Sequence, residues 1–205
     1  MSSRRPIVLF DLFGVLACHQ RPGAMDRMAA LSGAPPDAFT TAYWTLRRPY
    51  DAGERTAFQY WTAVLDSLSL TAGPDTIEEL RLADIDSWSR VDDRMVTYAQ
   101  SLRERAAVAL LSNIPADHAD AFRTAQPWLR HLDHVAFSGK IKAAKPDPAA
   151  FRHCVAALHA DPADFLFVDD RAENVRAAQA TGMNGHLFTG REELAAALDT
   201  WLPIP

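Results

Sequence analysis

The chain is 205 residues long and 48% apolar, with 21 basic against 26 acidic side chains and a formal net charge of −5. That size suits one domain, or one core domain carrying an insertion. The charge balance argues against nucleic acid or an anionic membrane surface as a partner, while leaving room for a local site that takes a small anion.

A basic start, residues 1–6, leads into an apolar stretch, residues 7–18, that Asp11 interrupts. The stretch is too short to cross a bilayer. A carboxylate inside it and the lack of a small-residue cleavage site argue against a signal peptide. Ile7–Phe10 is expected instead as a parallel strand buried on both faces. The two cysteines, Cys18 and Cys154, are too few for a disulfide framework and lack metal-ligand spacing, so they read as reduced thiols of a cytoplasmic protein.

From residue 18 to 91 no strand-like run occurs. Pro35-Pro36-Asp37 opens one helix, and Thr56 opens a second with Phe58, Trp61, Leu65 and Leu68 on one face. Thr76 with Glu79 forms a capping box for a third. The expected organisation is an all-helical insertion, 18–91, in an α/β core made of 1–17 and 92–205. In that core, Asp92 or Asp93 caps a helix with Met95, Tyr98, Ala99 and Leu102 on one face. Apolar runs recur at 108–111 and 165–168, with a weaker one at 135–137 and a late one at 186–188. Pro148 fits the first turn of a helix through 159, and residues 171–181 make another that ends near Gly182. Strands alternating with helices imply a doubly wound, Rossmann-like parallel sheet.

In such a sheet, ligands bind beyond the carboxyl ends of the strands. The first run ends in Asp11, the second in Ser112-Asn113, and the 165–168 run in Asp169-Asp170. The weaker run leads to a loop that holds Lys140, Lys142 and Lys145, the only lysines beside 18 arginines (21 − 3). An ammonium is a compact point charge that fits where a planar guanidinium cannot. Carboxylates, a hydroxyl and an ammonium therefore meet at one edge. Three crowded carboxylates repel unless a divalent cation sits among them, and an all-oxygen donor set suits Mg²⁺. With such a set Asp11 can attack phosphorus to give a covalent aspartyl intermediate that water opens.

Four stretches carry a resemblance: Phe10-Asp11-Leu12-Phe13-Gly14-Val15-Leu16, Leu111-Ser112-Asn113, Lys145-Pro146-Asp147-Pro148 and Phe167-Val168-Asp169-Asp170-Arg171-Ala172-Glu173-Asn174. In that order they resemble the four motifs of the haloacid dehalogenase-like hydrolases. Tyr50-Asp51-Ala52-Gly53-Glu54 with Phe58 and Trp61 resembles that superfamily's first class of helical cap. The resemblance implies Asp11 as nucleophile, Ser112 and Lys145 holding the phosphoryl group, and Asn113, Phe13 and Gly14 beside the substrate. It further implies magnesium on Asp11, Asp169, Asp170 and the backbone carbonyl of Phe13. The expected substrate is a small phosphorylated, or otherwise anionic, metabolite; the oligomeric state is left open.

One departure stands out. Phosphatases of the family usually carry a second aspartate two residues after the nucleophile, as general acid and base. Phe13 occupies that place and can do neither, a role worth typically ~10²–10⁴-fold in rate. The dehalogenase branch has an aromatic tyrosine there and needs no metal, so a 2-haloacid dehalogenase is the alternative enzyme. A catalytically weak binding or regulatory protein is the alternative of another class. The paired aspartates favour the metal-dependent phosphatase.

The blander expectations are these. Lys140 and Lys142 are solvated, one of Asp169 and Asp170 also caps a helix, and Asn174 orients the loop. The histidines show no ligand spacing. Tyr43, Trp44, Trp61 and Trp88 fill space between helices, and Arg47 and Arg48 face the cleft to select an anion.

Overall fold

The computed structural model describes residues 5–202; the first four residues of the basic start and residues 203–205 of the expected core lie outside them. The helices are α1 (Ala24–Ser32), α2 (Pro36–Asp51), α3 (Ala57–Ser67), α4 (Pro74–Ser87), α5 (Asp93–Ser101), α6 (Ala116–Ala125), α7 (Ser138–Ile141), α8 (Pro148–Leu158), α9 (Ala172–Ala180) and α10 (Arg191–Trp201). The strands are β1 (Ile7–Phe10), β2 (Ala107–Ser112), β3 (His134–Phe137), β4 (Phe165–Asp169) and β5 (Asn184–Leu187). Among the described residues they form one sheet in the order β3-β2-β1-β4-β5, every pair parallel.

The central strand explains the pattern of its sequence. β1 is covered on both faces, so all four of its side chains are buried and none can be polar. Val8 and Phe10 point to the layer that Val108, Leu110 and Val168 share with Met95 of α5, Phe122 of α6 and Leu194 of α10. Ile7 and Leu9 point the other way, to Ala109, Leu111, Phe167 and the α8 residues Phe151 and Cys154. Burial of each such large side chain contributes roughly 1.5–3 kcal/mol. The register pairs Phe10 with Val168, and the Asp11 N–H continues the ladder to the Val168 carbonyl at 2.8 Å. One step further along, Asp11 lies level with Asp169.

Helices α1 to α4 form an inserted cap with an apolar core of its own, centred on Phe39, Tyr43, Tyr60, Trp61 and Leu80. The two connections that enter and leave it run antiparallel at Ala17 and Val91, where Cys18 N–H bonds the Arg90 carbonyl. Thr56 begins α3 with a complete capping box to Gln59. The box expected at Thr76 does not start α4: the N-cap is Gly73, three residues earlier, and Pro74 opens the helix, because proline's fixed φ suits the first helical position.

Four helices, α1, α6, α7 and α10, carry no clear start signal in the sequence; the short α7 follows directly on β3 without a side-chain cap. α1 lies between Gly23 and Gly33 without a side-chain cap, and α6 and α10 also begin without one. The last strand occupies Asn184–Leu187, earlier than the apolar run 186–188, because Asn184 Nδ2 donates to the Phe165 carbonyl and starts the pairing there. Among the described residues no helix is long and apolar enough to cross a membrane.

Candidate active site

Three strand ends and one loop meet beyond the sheet. Asp11 leaves β1, and a tight turn follows in which Leu12 N–H donates to Asp11 Oδ1 at 2.6 Å. Gly14 holds φ at +86°, and a Cβ there would overlap the Asp170 carboxylate and the His19 ring. Only glycine allows both the turn and that approach. Gly14 N–H itself is spent on the Ala17 carbonyl at 2.7 Å. What Gly14 brings to the site is therefore space.

Lys145 is buried, and its Nζ donates to Asp11 Oδ1 and to Asp169 Oδ2, each at 2.7 Å. Its backbone is fixed by Asn113, whose Nδ2 donates to the Lys145 carbonyl at 2.7 Å and whose Oδ1 accepts from Lys145 N–H at 2.8 Å. Asn113 thus lines the cavity while its amide serves Lys145. Burial opposes the Lys145 charge, but Asp11 and Asp169 outweigh it and hold the ammonium above its ordinary range. Burial pushes the Asp11 carboxyl up to about 7, with Lys145 pulling it down and Asp169 pushing it further up.

Asp169 is the most heavily bonded carboxylate of the group. Its Oδ1 accepts from Arg171 N–H at 2.8 Å, at the start of α9, and Asn174 Nδ2 reaches both oxygens at 3.0 and 3.1 Å. With Lys145 added, each oxygen has two donors. Asp169 therefore fixes the N–H of Arg171, just ahead of α9, but the helix itself begins without a side-chain cap, and Asn174 orients the carboxylate. Asp170 is more open. His19 Nε2 stands 3.3 Å from its Oδ2, and burial, helped by Asp169, raises its carboxyl against His19 and Lys145. One carboxylate oxygen each from Asp11, Asp169 and Asp170 lies within 4.8 Å of the others, a hard-oxygen set that fits a small divalent cation. The turn after β1 uses the carbonyl oxygens of Leu12 and Ala17, and none of those bonds falls on the carbonyl of Phe13.

These groups open on a cavity of about 350 Å³ whose walls include Asp11, Phe13, Asn113, Lys145, Asp170 and Asn174. Ser112, at the end of β2, is fully buried, and its hydroxyl has no protein partner. Lys140 is exposed and pairs with Asp120 at 2.6 Å; Lys142 is exposed as well.

The cap closes the cavity with residues that the sequence reading placed elsewhere. Tyr43 and Trp61 are buried in the cap core as expected, but Trp44 and Trp88 line the cavity. Arg48 is exposed. Arg47 lines the cavity but offers no uncommitted charge, since it donates to Asp84 Oδ2 at 2.6 Å and to Asp51 Oδ1 at 2.8 Å. His118, on α6, is buried against Asp84 at 3.3 Å and also reaches the cavity. Helical spacing could not reveal that group, because α2, α4 and α6 meet only in the folded chain. Burial opposes the charge of Asp84, but Arg47 and His118 hold its carboxyl well below the usual range. Tyr50 of the cap donates to Asp117 of α6 at 2.7 Å, tying the two parts together beside the site.

The family model described as haloacid dehalogenase-like hydrolase matches residues 6–182. The chain is 34% identical over 111 residues to the sesquiterpene phosphatase astK of Aspergillus oryzae, across 54% of this chain and 56% of that one. It is 25% identical over 183 residues to the D-ribitol-5-phosphate phosphatase of Bacteroides thetaiotaomicron, across 85% of this chain and 87% of that one. In length the matches cover 21% and 56% of two of the curated relatives. A crystal structure of a HAD family enzyme from Bacteroides thetaiotaomicron, in complex with magnesium and inorganic phosphate, superposes with a TM-score of 0.72 at 20% identity, covering 89% of this chain and 93% of that one. At that identity the likeness is one of fold.

Proposed function

Since the chain belongs to the haloacid dehalogenase-like hydrolases, we propose that it is a magnesium-dependent phosphatase of small phosphate monoesters, working through an aspartyl-phosphate on Asp11. The observation that carries this is the group at the strand ends: Lys145 Nζ at 2.7 Å from both Asp11 and Asp169, with three carboxylates close enough to share one ion. The two phosphatases among the relatives, and the magnesium and phosphate held by a protein of the same fold, point the same way.

Each residue then has a task. Asp11 Oδ1 is held by Leu12 N–H and Lys145, which leaves Oδ2 to attack phosphorus as the bond to the leaving oxygen breaks. Lys145 offsets the charge that gathers on the transferring group. Ser112 supplies the hydroxyl donor, since a buried unpartnered hydroxyl costs roughly 1–3 kcal/mol that a phosphoryl oxygen relieves. Water then attacks the phosphorus as the bond to Asp11 breaks, and its proton passes to the His118 imidazole that gave one up in the first step. Magnesium, when bound, screens the phosphoryl oxygens and keeps Asp11 ionised. Asp11, Asp170 and the Phe13 carbonyl would hold it directly, with Asp169, the third carboxylate of the cluster, adding its charge from behind while it orients Lys145 and the loop. The proton for the leaving oxygen comes from His118, which Asp84 holds in the cavity wall. Phe13 cannot supply it.

The cap is proposed to span 18–91, because its connections pair at Ala17 and Val91 and its apolar core falls within residues 28–83. We further take the protein to be cytoplasmic, with Cys18 and Cys154 as free thiols. The test is phosphate release from p-nitrophenyl phosphate. It should require magnesium and vanish in Asp11→Asn. Halide release from a 2-haloacid without metal, with no phosphate release, would overturn the assignment.

A further inference from the structure

The phosphatase reading leaves the organic half of the ester unassigned, and the shape of the cap side of the cavity bears on it. Phe13 stands two residues after the nucleophile, where an acid would make the wall polar. Its ring is wedged 4.8 Å from the ring of Trp88 and 6.1 Å from that of Phe122. Beside these rings lies a second cavity of about 50 Å³, which shares Phe13, Trp88, Ile114 and His118 with the main one and is lined further by Ile85, Ser89, Ala121, Phe122 and Ala125. A single water needs roughly 10–15 Å³, so this slot admits a few carbon atoms. Trp44 extends the apolar wall outward: it is 49% exposed, and its ring is perpendicular to Trp88 at 6.3 Å.

The charges on the cap side do not offer an alternative. Arg47 is committed to Asp84 and Asp51, so a second anionic group on a substrate finds no uncommitted guanidinium there. A sugar or nucleoside with several hydroxyls placed against Phe13, Ile114 and Phe122 would lose its hydrogen bonds to water, with Ser89 and His118 the polar side chains of that wall left to replace them. A hydrocarbon placed there gains burial instead.

Resting on the phosphatase reading, we propose that the substrates are monophosphate esters of apolar alcohols, with the phosphate on Asp11 and Lys145 and the hydrocarbon between Trp44 and Trp88, its end in the slot beside Phe13. Specificity then comes from buried methylenes. Each should raise affinity about fourfold until the slot is full.

The experiment has two readouts on the full chain with magnesium. Calorimetric binding of n-alkylphosphonates from ethyl to octyl, which cannot be hydrolysed, reads the slot alone. Phosphate release from the matching n-alkyl phosphates, whose alcohols differ little in acidity beyond ethyl, reads the chemistry. The expected result is affinity and kcat/KM that climb over the first few added carbons and then level off, with glycerol phosphate well below hexyl phosphate. In Ala121→Leu, which fills the slot from the half-buried face of α6, the hexyl-to-ethyl affinity ratio should fall about tenfold, the loss of one to two buried methylenes. A flat binding series, or glycerol phosphate preferred to hexyl phosphate, overturns the proposal even where phosphate is released. Chain-length-dependent binding without any phosphate release supports the slot and overturns the phosphatase reading alone.

Discussion

Replacing Lys145 by methionine keeps the apolar stem and removes the ammonium. In the folded protein that ammonium is the donor to Asp11 Oδ1 and Asp169 Oδ2, both at 2.7 Å, with the side chain only 1% exposed. Two consequences follow. Two buried carboxylates then face each other, and because Lys145 is the group that pulls the Asp11 carboxyl down from still higher values, Asp11 should become harder to ionise. Losing a preorganised charge aimed at the transferring group costs typically ~10²–10³-fold in kcat. Removing one partner of a buried ion pair costs about 3–5 kcal/mol of stability, an upper figure here because one carboxyl can take up a proton. Lys145→Arg should not rescue activity, since a planar fork does not fit a slot shaped for a point charge. The assay is phosphate release under saturating p-nitrophenyl phosphate, paired with urea unfolding at the same pH. A Lys145→Met enzyme that keeps its kcat within about tenfold of the parent would refute the role given to this side chain.

Three other perturbations reach different parts of the structure. Asp84→Asn should lower stability by up to about 3–5 kcal/mol, a Tm loss of at most roughly 6–20 °C for a chain of this size, because it leaves the buried Arg47 with Asp51 alone as counter-charge. Since the Asp84 carboxyl lies below its unfolded value, its contribution is complete above the ordinary aspartate range and is lost as pH falls through the folded value; acid unfolding of Asp84→Asn should therefore be the less steep, as calorimetry across pH would show. Gly14→Ala, which drives a methyl into Asp170, should weaken magnesium activation about 10–100-fold, and an unchanged magnesium titration would remove the link between that turn and the metal. His118→Gln should lower kcat on alkyl phosphates by about 10²–10⁴-fold while sparing p-nitrophenyl phosphate, whose leaving group needs no proton; equal losses on both would exclude His118 as the proton source.

The middle of the sheet was legible because β1, β2 and β4 are buried on two faces, whereas the edge strand β5 is not. Such strands are apolar along their buried length, so Ile7–Phe10 and residues 165–168 stand out in the sequence. Asp11 and Asp169 were legible for the same reason, as charges that end apolar runs. The cap was legible as helical but not in its details. Pro74 began α4 ahead of the Thr76 box, and α1 lacks a side-chain cap altogether. The side chains that face the cavity were harder still. Trp44 lies one position after the fully buried Tyr43, and only the packing of α2 against its neighbours decides which of the two meets the substrate. The Arg47, Asp84 and His118 group joins three helices far apart in sequence, so a charge that looked free to choose an anion is already neutralised.

The covalent step is open to direct observation. Acid quenching of the enzyme during turnover with a phosphate ester and magnesium, followed by peptide mapping, should place one phosphoryl group on the segment containing Asp11, and none should form in Asp11→Asn. Steady phosphate release with that segment unmodified, and persisting in Asp11→Asn, would contradict the account.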